Sequence, residues 1–196
     1  MTERRTLAAI LAADVVGYSR RRNDETEELQ RDLVEVLGRA RRAAGIRDAE
    51  VSPQPQGDGQ FTVLPVGIDE SAVIPALLGE LGERLAERDR GRPAERAMRL
   101  RVALHRGLVK EGANGWIGDA PIAVHRILDS EPLREAVRSH PAATYALGVP
   151  DVLYRDVLVH AVRPPLAGDF RAMVVDLPAK NFVERGWLYV GPGVAA

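Results

Sequence analysis

The chain of 196 residues has no cysteine, few aromatic residues (5%) and almost no imbalance of charge. Without cysteine there is no disulfide framework, no thiolate metal site and no cysteine nucleophile, and a reducing cytoplasm is the expected location. Lys and Arg total 27 against 28 Asp and Glu, so the net charge of -1 provides no global positive field to draw nucleic acid. Long hydrophobic runs are also missing. The longest near the start, Leu7 to Val16, is broken by Asp14 and is too short for a bilayer, so no membrane partner is expected. It lacks a signal-peptide cleavage pattern too, despite the Arg4-Arg5 pair ahead of it. There is no G-x-x-x-x-G-K-[ST] phosphate loop and no G-x-S-x-G nucleophile elbow. The four histidines (His105, His125, His140, His160) are too widely spaced for a zinc pattern.

What is present suits one globular domain spanning 1–196, with 45% hydrophobic and 28% charged residues. Thr6 to Val16 is an apolar run closed by Gly17, as in a strand buried on both faces. Asn23 and Asp24 are candidate caps for a helix in which Leu29, Leu33, Val36, Leu37, Ala40 and Ala44 recur at helical spacing, with Gly45 as its stop. Glu50 to Pro65 predicts a hairpin around Gly57-Asp58-Gly59, its first strand demoted to an edge by Pro53 and Pro55. A second long helix is predicted over Asp69 to Glu87. An alternating strand follows over Met98 to Val109, then a turn at Gly112 to Gly115. Further helices are predicted over Asp119 to Leu128, Pro132 to Val137 and Asp151 to His160, and late strands over Ala142 to Val149, Arg171 to Leu177 and Trp187 to Val190. This order predicts an α+β fold: a ferredoxin-like split βαβ sheet with helices on one face and appended C-terminal strands.

Two carboxylates stand out. Asp14 ends the first strand, and Asp58 sits at a hairpin tip between glycines that admit close approach of backbone to a ligand. In a split βαβ sheet the first strand and this hairpin lie side by side. Two converging carboxylates beside exposed backbone suit Mg²⁺ or Mn²⁺ when phosphate and water complete the shell. The alternative is structural: Asp14 capping a turn, and Asp58 chosen for its turn conformation.

The segment Arg4 to Ser19 (RRTLAAILAADVVGYS) closely resembles the opening of bacterial class III nucleotidyl cyclases, and Gly57-Asp58-Gly59 matches that family's second metal-binding turn. Met98 to Gly107, followed by Gly118 to Leu128, looks like its later strand and helix. The resemblance implies a homodimer with sites at the subunit interface, where the ribose 3′-hydroxyl of a nucleoside triphosphate attacks its own α-phosphorus and expels pyrophosphate. It implies two Mg²⁺ or Mn²⁺ ions per site, held by Asp14, Asp58 and the carbonyl of Val15, with Val15, Val16 and Gly17 bordering the substrate. It assigns Arg126 to the α-phosphoryl charge and Lys180 to the triphosphate; read alone, each would be a solvated cation. Positions 54 and 115 correspond to the pair that reads adenine.

Four positions depart from the family. Gln54 replaces a lysine and Gly115 an aspartate of the adenine-reading pair, Ile122 replaces a ribose-orienting asparagine, and Leu108 replaces a phosphate-contacting arginine that Arg106 or Lys110 would have to supply. Losing one transition-state hydrogen-bond donor typically costs about 10²–10³ in rate. Two readings follow. One is a changed substrate, UTP or CTP, as in the pyrimidine cyclases of Pycsar antiphage defence, which this small chain resembles. The other is a degenerate cyclase-homology module that binds nucleotide or dimerises without turnover.

Overall fold

A computed structural model describes residues 5–193; Arg4, where the resembling segment begins, lies outside them. The strands are β1 (Thr6–Val15), β2 (Gln54–Gln56), β3 (Gly59–Val63), β4 (Leu100–Gly112), β5 (Gly115–Ile117), β6 (Tyr145–Pro150), β7 (Phe170–Leu177) and β8 (Phe182–Val190). The helices are α1 (Asn23–Ala43), α2 (Glu70–Asp89), α3 (Asp119–Leu128), α4 (Glu131–Ser139) and α5 (Asp151–Asp156).

The sheet order is β2-β3-β1-β4-β6-β8-β7, with β5 folded back on the end of β4. Its first four strands are the expected split βαβ unit, all antiparallel. The one parallel pairing, β4 with β6, needs the long crossover through α3 and α4. β2 is short and at the edge, where its proline costs no ladder bond.

β1 is flanked on both sides and buried from Ala8 to Val15. Its odd-numbered residues (Ala9, Leu11, Ala13, Val15) pack with Leu33 and Leu37 of α1 and Leu78 and Leu81 of α2. Its even-numbered residues (Ala8, Ile10, Ala12) face a second core with Val124 and Ile127 of α3 and Leu133 of α4. The helices of the split unit itself, α1 and α2, thus share one face as expected. The expectation of one helical face does not extend to α3 and α4: a central strand apolar on both sides needs two covers.

Other differences are local. Arg22 rather than Asn23 or Asp24 precedes α1, because Glu25 reaches back to the Arg22 N–H (3.3 Å) and leaves both candidates inside the first turn. β8 begins at Phe182, five residues before the predicted Trp187, since its exposed first half is held by pairing with β7 rather than by burial. β5, a strand where only the exit of a turn was expected, exists because Gly115 pairs back to Gly112. Among the described residues, no helix is long and apolar enough to cross a membrane.

Candidate functional site

Asp14 is the last residue of β1 paired to β3, one before the strand ends at Val15. It lies opposite Gly59 on β3 and opposite Arg101 on β4. The next rung ties the two acidic segments together, for the Val15 N–H donates to the Asp58 carbonyl (2.9 Å). Gly59 has no alternative here, because a Cβ would stand 2.6 Å from the Ala13 carbonyl oxygen and 3.3 Å from the Asp14 Cβ. The hairpin tip is braced from α1: the Gln30 amide donates to the Gly57 carbonyl (3.0 Å) and to the Tyr18 hydroxyl (2.8 Å). The adjacency predicted for Asp14 and Asp58 is therefore a matter of strand register.

The electrostatics of the two acids differ. Asp14 is buried, and desolvation raises its carboxyl pKa above the usual aspartate value, with Asp58 adding repulsion. Arg101 works against that shift through a two-pronged ion pair, Nε to Oδ1 at 3.0 Å and Nη2 to Oδ2 at 2.5 Å. The Asp58 carboxylate is half-exposed and has no hydrogen-bond or ion-pair partner among the described residues. Nor, among those residues, is any group of three or more His, Asp or Glu side chains placed to hold a metal ion. Two hard carboxylates, with backbone and phosphate oxygens completing the shell, fit Mg²⁺ or Mn²⁺, and the unpaired Asp58 leaves negative charge to be met. Arg101 engages both oxygens of Asp14, so an ion on that carboxylate would have to displace it.

Val15 and Val16 direct their N–H groups to Asp58 and Arg99 (both 2.9 Å), so neither amide is available to a phosphate. Any contribution they make to a ligand comes from carbonyl oxygen or side chain. Gly17 follows, exposed, in a left-handed conformation (φ 74°).

A cavity of about 650 Å³ brings together Arg126 and Lys180. Gln54 and Gln56 of β2, Trp116 of β5, Ile122, His125 and Arg126 of α3, Asp129 and Lys180 line it. Neither Asp14 nor Asp58 does. Arg126 lies with its guanidinium 4.9 Å from the centre of the Phe182 ring, and Lys180 closes the tight turn just before that ring, helped by left-handed Asn181 (φ 44°). Gln54 and Gly115 meet: a Cβ at Gly115 (φ 105°) would lie 3.2 Å from the Gln54 Oε1. The amide of Gln54 thus covers the spot a longer side chain at 115 would claim. Ile122 is half exposed (52%) at the cavity wall.

Several residues here escaped the sequence. Arg101 read as one of the polar teeth of an alternating strand, and its partner 87 positions away is set by pairing alone. His125 read as a helix-face residue, yet it stacks on Phe61 (5.5 Å between ring centres) and touches the Gln56 amide at 3.4 Å. Burial lowers its pKa, with Asp129 opposing. Of the residues considered to replace the missing arginine at Leu108, Arg106 is committed elsewhere, to Glu70 (2.9 Å) and Asp156.

No protein-family model matches the sequence, and neither does any curated protein. The fold is shared with solved structures at low sequence identity. The adenylate/guanylate cyclase/hydrolase from Silicibacter pomeroyi superposes with a TM-score of 0.67 at 21% identity, over 96% of this chain and 98% of that one. The guanylyl cyclase Cya2 gives 0.64 at 12% identity, over 100% and 96%. The guanylate cyclase domain of RhGC from Catenaria anguillulae, in complex with GTP, gives 0.60 at 15% identity, over 96% and 97%. The chain therefore has the fold of adenylate and guanylate cyclase domains over nearly its whole length.

Proposed function

We propose that the chain is a class III nucleotidyl cyclase that converts a pyrimidine nucleoside triphosphate, UTP or CTP, to its 3′,5′-cyclic nucleotide. The observation that carries the reading is the pairing of β1 with β3 in a cyclase fold, which sets Asp14 beside the hairpin turn that carries Asp58. The 3′-oxygen bonds to the α-phosphorus, the bridging oxygen to the β-phosphorus departs with pyrophosphate, and the 3′-hydroxyl proton is released to solvent. Asp14, Asp58 and the Val15 carbonyl would hold two Mg²⁺ or Mn²⁺ ions, which would neutralise the triphosphate and ease loss of that proton. Arg126 would meet charge on the α-phosphoryl oxygens with a planar, permanently ionised fork, and Lys180 the outer phosphates. Gln54, able to donate and accept, would read the base in place of the adenine-reading pair.

A homodimer belongs to the same reading. Asp14 and Asp58 do not line the cavity that holds Arg126 and Lys180, and a site shared between protomers would bring the carboxylates of one to the cavity of its partner. Signalling in antiphage defence would be the biological setting. One observation favours the second reading, a nucleotide-binding module without turnover: Ile122 presents an apolar side chain where a ribose would need a hydrogen bond.

The test incubates the protein with ATP, GTP, UTP or CTP and Mn²⁺ and looks for cyclic product. Product from UTP or CTP, lost in Asp14→Ala and Asp58→Ala and re-ranked among triphosphates in Gln54→Ala, is the expected result. Nucleotide binding without product from any of the four would overturn turnover and leave the module.

A further inference from the structure

We propose that Arg101 is a resident counter-cation for Asp14 that gives up the carboxylate when a divalent cation arrives, passing its own charge to Asp129. The inference rests on the metal reading of Asp14 and Asp58 and goes beyond it to what holds that site closed before a cation binds.

The pair is built rather than incidental. Arg101 and Asp14 are directly opposed across β1 and β4, the two parallel N–H···O contacts match fork to carboxylate, and the side chains are only 18% and 12% exposed. At that burial, an ionised carboxylate with no cation beside it is expensive, and the Arg101 guanidinium offsets that cost. A divalent ion on Asp14 supplies that charge itself, and the guanidinium then becomes a like-charged neighbour. It has somewhere to go. Arg101 Nη1 is already 3.8 Å from Asp129 Oδ1, beyond hydrogen-bond reach but within a side-chain swing. Asp129 is exposed at the end of α3, and its other partner, Arg134, is at 3.3 Å with its own side chain half in solvent. Charge arithmetic favours the exchange. With Arg101 on Asp14 the carboxylate pair carries a net single negative charge, that of Asp58; with Arg101 on Asp129 it carries two, matched to the first divalent ion to bind before the triphosphate. Asp129 also lines the cavity that holds Arg126, so the exchange would carry positive charge towards the cavity as the cation enters. Arg101 would be a positioning residue, acting through Asp14.

The test measures Mn²⁺ binding by electron paramagnetic resonance on the full chain, without nucleotide, for wild type, R101Q, D14N and D58N. R101Q should bind Mn²⁺ about tenfold more tightly than wild type, equivalent to about 1.4 kcal/mol. R101K, which keeps the charge but not the fork, should fall between them, and Mn²⁺ should raise the melting temperature of either variant more than that of wild type. The melting comparison serves where R101Q folds poorly at rest. Equal or weaker Mn²⁺ binding in R101Q would overturn the proposal, because Arg101 would then be indifferent or would be orienting Asp14 for the ion. Wild-type binding that D14N and D58N abolish, with no gain in R101Q, would sink this inference alone. Absence of Mn²⁺ binding in both wild type and R101Q would sink the metal reading together with it.

Discussion

Gly115→Asp, which puts the aspartate of the resembling cyclases at this turn, asks directly what the backbone at position 115 tolerates. Gly115 holds φ 105°, which side chains with a Cβ rarely adopt, and its Cβ would lie 3.2 Å from Oε1 and 3.4 Å from Nε2 of Gln54. Two costs are therefore separable. The backbone cost is of order 1–3 kcal/mol for a residue with a Cβ in such a region. The contact with Gln54 adds little, since the far end of a flexible amide can move away. For a chain of this size each kcal/mol shifts the melting temperature by about 2–4 °C, so Gly115→Asp should lower it by roughly 2–12 °C. A double-mutant cycle with Gln54→Ala tests the partition: the coupling should stay below about 0.5 kcal/mol, as for a contact that relaxes. Thermal unfolding followed by circular dichroism reads all four proteins. A Gly115→Asp chain that melts with the wild type would refute the argument, because the turn would then accept a side chain freely. So would a loss that vanishes in the Gln54→Ala background, which would place the cost in the amide. If the backbone term is the large one, Gln54→Lys with Gly115→Asp would not recreate an adenine reader without rebuilding the β4–β5 turn.

Gly59→Ala should be more damaging than its size suggests: the new Cβ meets the Ala13 carbonyl at 2.6 Å, so β3 must retreat from β1 and carry Asp58 with it. Both the melting temperature and Mn²⁺ affinity should drop, and loss of one without the other would contradict the shared rung. Burial lowers the pKa of His105 and of His125, so the unfolded chain takes up protons first as pH falls. Their contribution to stability is complete above about pH 6.5 and is lost below it, towards the depressed folded values. Urea midpoints between pH 5 and 8 should show that slope, reduced in His105→Gln; an unchanged slope would remove His105 as its source. Finally, a site shared between protomers predicts specific activity that falls on dilution through the dimer dissociation constant, and constant activity in a sedimenting monomer would reject it.

Much of this was open to reading because it is local. Gly57-Asp58-Gly59 announces its own turn, and the apolar run before Asp14 announces a doubly buried strand whose end must carry the acid. Split βαβ order then brings the two together without any contact being known. What stayed hidden is long-range or conditional on a neighbour. Arg101 meets Asp14 only through the β1–β4 register. His125 meets Gln56 and Phe61 because its side chain reaches from α3 to the β2–β3 hairpin, and the side of the sheet taken by α3 and α4 follows from a parallel crossover that no periodicity reveals. The cap of α1 moved by one residue because Glu25 can reach back, a choice between near-equal alternatives.

Gly59, Asp14 and Arg101 are successive members of one cross-strand row, so the acid inherits its place from the pairing that holds the sheet centre together. Gln54, Gly115, Ile122 and Lys180 hang instead from an edge strand, a short hairpin, a helix surface and a turn. Substitutions at those four positions can leave the central row untouched, whereas a change at Gly59 or Asp14 strains or unpairs the strands at the middle of the sheet. Descendants of this chain would be expected to vary at those four peripheral positions far faster than at Gly59 and Asp14.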